Sequence, residues 1–237
     1  MPGVAASLLL AAAVLAPLVQ GGAVLAPLVQ GGAVQPPWRL VILPKQTLPV
    51  TLYKAESIDG RDALRIQSLG SYGNLVHDLP SITAPSRLRW AWRLQQPNPL
   101  MNLRIKAGDD TPVKLCMGFD LPLDRVPFVD RQRLSLARAL TSETLPAATL
   151  CWVWGHAEPA GAVLPNPYTH RVRYLVLRTA QDAPGVWFEE NRDIAADFRL
   201  AFGDESAAPP PVIALIVSGD ADNTGGGSVA HVAALIA

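Results

Sequence analysis

Apolar and polar residues alternate with a period of two along most of this chain. In "RLRWAWRL", Leu88, Trp90, Trp92 and Leu94 fall on one face, and Arg87, Arg89 and Arg93 on the other. "VKLCMGF" aligns Val113, Leu115, Met117 and Phe119, and "TLCWVWG" aligns Leu150, Trp152 and Trp154. "RLVIL", "PVTLYKAES", "ALRIQS", "HRVRYLVLR", "PPVIALIVS" and "SVAHVAALIA" continue the series. Alternate side chains of a strand point to opposite faces, so each run reads as a strand with one buried and one wet face. Turn residues separate the runs, and Asp59-Gly60 favours a tight turn between two of them. Short strands at this spacing predict an antiparallel β-sandwich. Two segments change period. "VPFVDRQRLSLARALTSE" spaces Leu134, Leu136, Ala137 and Leu140 as a helix does. "DIAADFRLAFG" begins on Asp193, a good N-cap, and stops at Gly203. The expected fold is therefore all-β, a sandwich with two short helices.

The amino-terminal stretch follows another rule. The first charged side chain is Arg39. Val4 to Val19 is apolar, broken by Pro17, and shorter than the about 20 residues that span a membrane. Small residues follow it, as in a secretory signal peptide. "AVLAPLVQGG" occurs twice, at 13–22 and 23–32. Identical copies indicate a recent duplication, because solenoid units are longer and diverge. The small residues Gly31, Gly32 and Ala33 favour cleavage after Ala33. Residues 1–33 are thus expected to be a leader and 34–237 a single domain, periplasmic or secreted, with no stable membrane span once the leader is removed. Cys116 and Cys151 both lie in strand-like segments. In an oxidising compartment they either pair, if those strands are neighbours, or stay as two buried thiols.

Composition narrows the partners. Apolar residues make up 49% and charged residues 17%, enough for a packed core. Twenty basic residues balance twenty acidic ones, so no global field draws nucleic acid.

Five features could carry chemistry. "GDD" places Asp109 and Asp110 side by side, with Asp120 at the end of the following strand. Neighbouring side chains of an extended segment point apart, so Asp109 and Asp110 do not make one acid–base dyad. "SGDADNTGGG" sets Asp220, Asp222 and Thr224 at alternate positions before Gly225. That is half of a calcium-loop spacing, to be completed by Asp109, Asp110 or Asp120 from elsewhere. The plainer reading is a polar hairpin between the last two strands. "WFEENRDIAADFR" carries Glu189, Glu190, Asp193 and Asp197, each near Arg192 or Arg199, as a helix start with internal ion pairs would. His77, His156, His170 and His231 show no metal-ligand spacing. Of the tryptophans, Trp90, Trp152 and Trp187 read as core, while Trp92 and Trp154 are the candidates for a sugar-stacking platform.

Taken in order, "LRWAWRL", "IKAGDDTPVKLCMGFD", "LCWVWG", "PNPYTHRVRYLVL", "VWFEENRDIAADFRLAFG" and "IVSGDADNTGGGSVAHVAALI" resemble the bacterial domain of unknown function 3047 family, from about Trp38 to the C-terminus. The resemblance implies a secreted, mostly-β protein and no particular activity. In general shape such a chain is similar to jelly-roll carbohydrate-binding modules, which makes the expected sandwich one of jelly-roll type. The expected function is non-catalytic binding of a glycan or envelope component. Asp109, Asp110, Asn223, Trp92 and Trp154 would form the ligand site, and Asp220, Asp222, Thr224 and Asp109 would hold a calcium ion. One alternative is a polysaccharide hydrolase or lyase using Asp109, Asp110, Asp120 and Glu189. A second is a purely structural envelope protein whose polar loops knit the sandwich together.

Overall fold

A computed structural model describes residues 27–141 and 143–237. The leader expected over 1–33, including the first decapeptide copy, lies outside the described residues except for 27–33. Strands in chain order are β1 (Val29–Gln30), β2 (Ala33–Val34), β3 (Arg39–Val41), β4 (Leu52–Ile58), β5 (Arg61–Leu69), β6 (Asn74–Ile82) and β7 (Arg87–Gln96). They continue as β8 (Lys114–Phe119), β9 (Ala148–Trp154), β10 (Val163–Pro165), β11 (Val172–Arg178), β12 (Trp187–Asp193), β13 (Val212–Ser218) and β14 (Gly227–Ile236). Two helices, α1 (Phe128–Ala139) and α2 (Ile194–Phe202), complete the fold. A seven-stranded sheet, in the order β10-β11-β9-β8-β13-β6-β3, packs on a five-stranded sheet, β12-β7-β14-β5-β4. The result is a β-sandwich, antiparallel throughout the two sheets except for the parallel pair β9–β11.

The inner faces follow the predicted alternation. Trp90 and Trp92 of β7 meet Trp152 and Trp154 of β9 across the sandwich, with centroids 5.4 Å apart for Trp90–Trp152 and 5.7 Å for Trp92–Trp154. All four are fully buried. An indole buries a large apolar area but needs a partner for its N–H. The acids around the Trp-Phe-Glu-Glu segment supply two such partners. Trp92 Nε1 donates to Glu190 at 3.0 Å and Trp152 Nε1 donates to Asp197 at 2.7 Å. Trp154 Nε1 donates to the Thr179 carbonyl at 3.1 Å. Arg178 and Arg192 then neutralise Glu190 and Asp197 from the rim.

This arrangement corrects the expected stacking platform. Trp92 and Trp154 face the core because their β7 and β9 neighbours on the same face, Leu94 and Leu150, are core residues as well. Trp187, expected in the core, is half-buried on the outer face of the five-stranded sheet, under the Arg61 guanidinium.

The helices start and stop near the expected residues. The Asp193 side chain accepts the Ala196 N–H and caps α2. Asp59 and Gly60 both have positive φ, 53° and 73°, as a tight β4–β5 turn requires. The end of the second decapeptide copy, 27–32, supplies β1 and the turn into β2, and Leu28 is buried in the main core. The domain's packing therefore begins before Val34, inside the stretch expected to be removed. No helix among the described residues is long and apolar enough to cross a membrane.

Candidate functional site

The loop that opens with Ser218 is not a hairpin turn. β13 belongs to the seven-stranded sheet and β14 to the five-stranded one, so "SGDADNTGGG" carries the chain from one sheet to the other at one end of the sandwich. It crosses over the segment just before β8, where Asp109 and Asp110 lie. Backbone contact fixes the crossing, because Asp220 N–H donates to the Thr111 carbonyl at 2.9 Å. Gly219 is required there, since a Cβ would meet the Pro112 carbonyl oxygen at 2.6 Å. Gly225 turns the loop back with φ +66°, a conformation that glycine adopts without strain.

Each aspartate of the crossing has its own task. Asp110, fully buried, accepts four hydrogen bonds from the opposite loop. Its donors are Asn223 N and Nδ2, at 3.1 and 3.2 Å, and Thr224 N and Oγ1, at 2.8 and 2.5 Å. Asp109 turns the other way, from a tight turn at the end of the 3-10 helix Lys106–Gly108. It accepts from Asn166 Nδ2 at 2.6 Å and from Tyr174 OH at 2.9 Å. Asp220 accepts from Thr111 N and Oγ1, at 2.6 and 3.1 Å, and from the Lys114 ammonium. The positive charge among these carboxylates is thus the protein's own. Burial alone would lower the Lys114 pKa, but Asp220, Tyr174 and Asp109 hold it well above its usual value.

The calcium expectation is measured against that donor set. Asp220 is already held by Lys114 and Thr111, Thr224 gives its hydroxyl to Asp110, and Asp109 is held by Asn166 and Tyr174. Among the described residues, no three or more His, Cys, Asp or Glu side chains are grouped to hold a metal ion.

Asp222 stands apart. Its Oδ1 is buried and accepts no hydrogen bond. Burial, and then the charges of Asp220 and Asp110, push its pKa up to about 6 from 3.8. A carboxyl whose pKa rises on folding binds its proton more tightly in the folded state. Its stabilisation is present below the ordinary value and is lost as pH climbs through about 6. Asp222→Asn removes that loss. The variant is expected to melt higher than the parent at pH 7 and level with it at pH 4. Equal melting shifts at both pH values would show that Asp222 is not held in this way.

These side chains ring the polar end of a cavity of about 590 Å³ on the outer face of the seven-stranded sheet. Asp109, Lys114, Asp220, Asp222 and Asn223 lie at that end, with Tyr72, Tyr168 and Tyr174 in the walls. The floor is apolar and includes Ile216, Val172 and a disulfide between Cys116 and Cys151. The two cysteines stand directly opposite each other on β8 and β9, so the open choice between a bridge and two thiols resolves to the bridge. Tyr168 is exposed beside the cavity, and its OH donates to Asn223 at 2.5 Å.

Of the residues expected to bind ligand, Asp109 and Asn223 therefore line one cavity. Asp110 sits behind it as a clamp, and Trp92 and Trp154 are in the core. The acids of the enzyme alternative do not converge. Asp120 lies at the far end of β8 from Asp109, and Glu189 is paired with Arg61 on the other sheet. The "PNPYTHRVRY" stretch supplies Asn166, Tyr168 and Tyr174, which the alternation of polar and apolar positions does not single out. Its signal is the run Asn-Pro-Tyr-Thr, a turn rich in hydrogen-bonding side chains.

One family model matches the chain, described as protein of unknown function (DUF3047), over residues 36–236. No curated protein matches its sequence. Among solved structures, endoglucanase 3 of Trichoderma harzianum, from family GH12, is similar at 8% identity and a TM-score of 0.41, over 86% of this chain and 100% of that one.

Proposed function

We propose that this chain, which belongs to the DUF3047 family, is an exported, non-catalytic binding module that seats a glycan in the cavity beside the two crossed loops. The observation that carries the reading is the cavity itself. A volume of about 590 Å³ is within the ordinary size of small-molecule sites, and its combination of apolar floor and convergent polar groups is theirs too. Its chemistry suits a sugar. Tyrosine rings offer apolar surface to C–H faces, and carboxylates and amides accept from hydroxyls. Three aspartates against one lysine disfavour a phosphate or a carboxylate ligand. Export is supported by the disulfide, a bond that persists in oxidising compartments.

Affinity gels cast with soluble polysaccharides test the reading. Retardation of the parent protein and loss of retardation in Tyr168→Ala are expected. Migration unchanged in every gel, with and without calcium, would overturn it.

Two observations bear on other readings. Asp109 and Asp222 both line the cavity and both hold their protons above the ordinary carboxylate range, chiefly through burial. A hydrolase would need such a group as its acid, and release of reducing ends, lost in Asp222→Asn, would establish one. A calcium ion at Asp220, Asp222, Thr224 and Asp109 would have to displace Lys114 from Asp220. Thermal unfolding in chelator and then in excess calcium reads this directly, because a cation bound to the folded state raises Tm.

A further inference from the structure

We propose that the glycan taken by this cavity carries a protonated amine, and that the ammonium sits against Asp222. The inference rests on the glycan reading above and specifies its ligand.

The side chains at the polar end carry unequal charge. Asp109, Asp220 and Asp222 line the cavity, Asp110 lies immediately behind them, and Lys114 is the lining cation. Lys106 is outside, with its ammonium over the Tyr168 ring at 5.1 Å. The lining aspartates are not equivalent. Asp220 is matched by Lys114, and Asp109 by the neutral donors of Asn166 and Tyr174. Only Asp222 keeps a buried oxygen, Oδ1, with no donor. A buried acceptor left unpaired is costly, and a donor brought into the cavity by a ligand would satisfy it.

A sugar hydroxyl would satisfy the hydrogen bond but leave the surplus charge in place. An ammonium supplies both the donor and the charge, and such charge-assisted bonds are about twice as strong as neutral ones. Primary amine chemistry also fits the shape, because a compact, three-donor head group can reach one carboxylate between two loops.

The test uses matched probes on the full folded domain. Binding of glucosamine oligomers is measured by calorimetry at pH 6.5, against the N-acetylated oligomers of the same length and against neutral β-glucan oligomers. The free-amine series is expected to bind about tenfold tighter or more, and Asp222→Asn is expected to erase that preference. Equal affinity for amine and N-acetyl forms overturns the inference and leaves the glycan reading intact. Binding of no oligomer at all overturns both. A rise in Tm with calcium alone, lost in Asp222→Asn, also overturns the inference, because the orphan oxygen would then belong to a metal.

Discussion

Lys114→Met is expected to destabilise the protein by about 3–5 kcal/mol, while Lys114→Met combined with Asp220→Asn loses much less. The ammonium and carboxylate are in contact, with side chains 12% and 4% exposed. Taking a charge out of water is costly, and here each charge is offset by the other. Removing the lysine alone leaves Asp220 buried with only the two Thr111 donors, among three other carboxylates. In the double variant the amide oxygen keeps both Thr111 bonds, and no uncompensated charge remains. The single-variant deficit should also grow from pH 4 to pH 7. Lys114 pulls Asp109 and Asp222 toward ionisation, so without it their folded pKa values rise further. Stability held by their protonated forms is then lost as pH climbs. Urea denaturation of both variants at the two pH values checks this. Equal losses for single and double variants would show that the pair is not coupled.

The strands that the sequence displays most clearly are those whose inner face is continuous and apolar. β7, β8, β9, β11, β13 and β14 all show the period of two, and each has an inner row of core residues. β12 reads instead as the approach to a helix. Its residues Glu189, Glu190, Asn191, Arg192 and Asp193 are polar on both faces. The physical reason is that its inward carboxylate, Glu190, serves an indole N–H and not an apolar contact. β6 hides similarly, because His77, Asp78 and Pro80 interrupt its alternation. Local pattern detects burial in hydrocarbon and misses burial among polar partners.

The same limit governs the site. The proximity of the GDD and DADNT loops was legible, since Asp109 was expected to join Asp220, Asp222 and Thr224. Which sheet each loop belonged to was not. A hairpin and a crossover between sheets have the same local sequence, and only pairing of β13 with β6 and β8, and of β14 with β5 and β7, separates them. The lysine that pairs with Asp220 was also hidden. Lys114 opens a strand, where a lysine ordinarily points to water. It becomes the centre of the cluster because β13 sets Ser218 opposite it and so brings Asp220 alongside. Trp92 and Trp154 show the converse: a sugar-stacking surface and a core have the same alternating aromatics, and the side the second sheet covers decides between them.

Cys116→Ala combined with Cys151→Ala is expected to lower stability by about 3–4 kcal/mol, and Tm by about 7–15 °C. The bridge spans 35 residues of sequence. Opening it restores to the unfolded chain the freedom of a segment that includes α1 and the connections on either side of it. The folded state changes less, because β8 and β9 remain paired along six residues. Reductant should therefore bring the parent down to the Tm of the double variant and leave the variant unmoved. A parent whose Tm is the same with and without reductant would show that the bridge contributes nothing to stability. The bridge also forms part of the cavity floor, so ligand binding should weaken with stability in the reduced protein. A chain held in a reducing compartment would carry both deficits, which ties the integrity of the site to export.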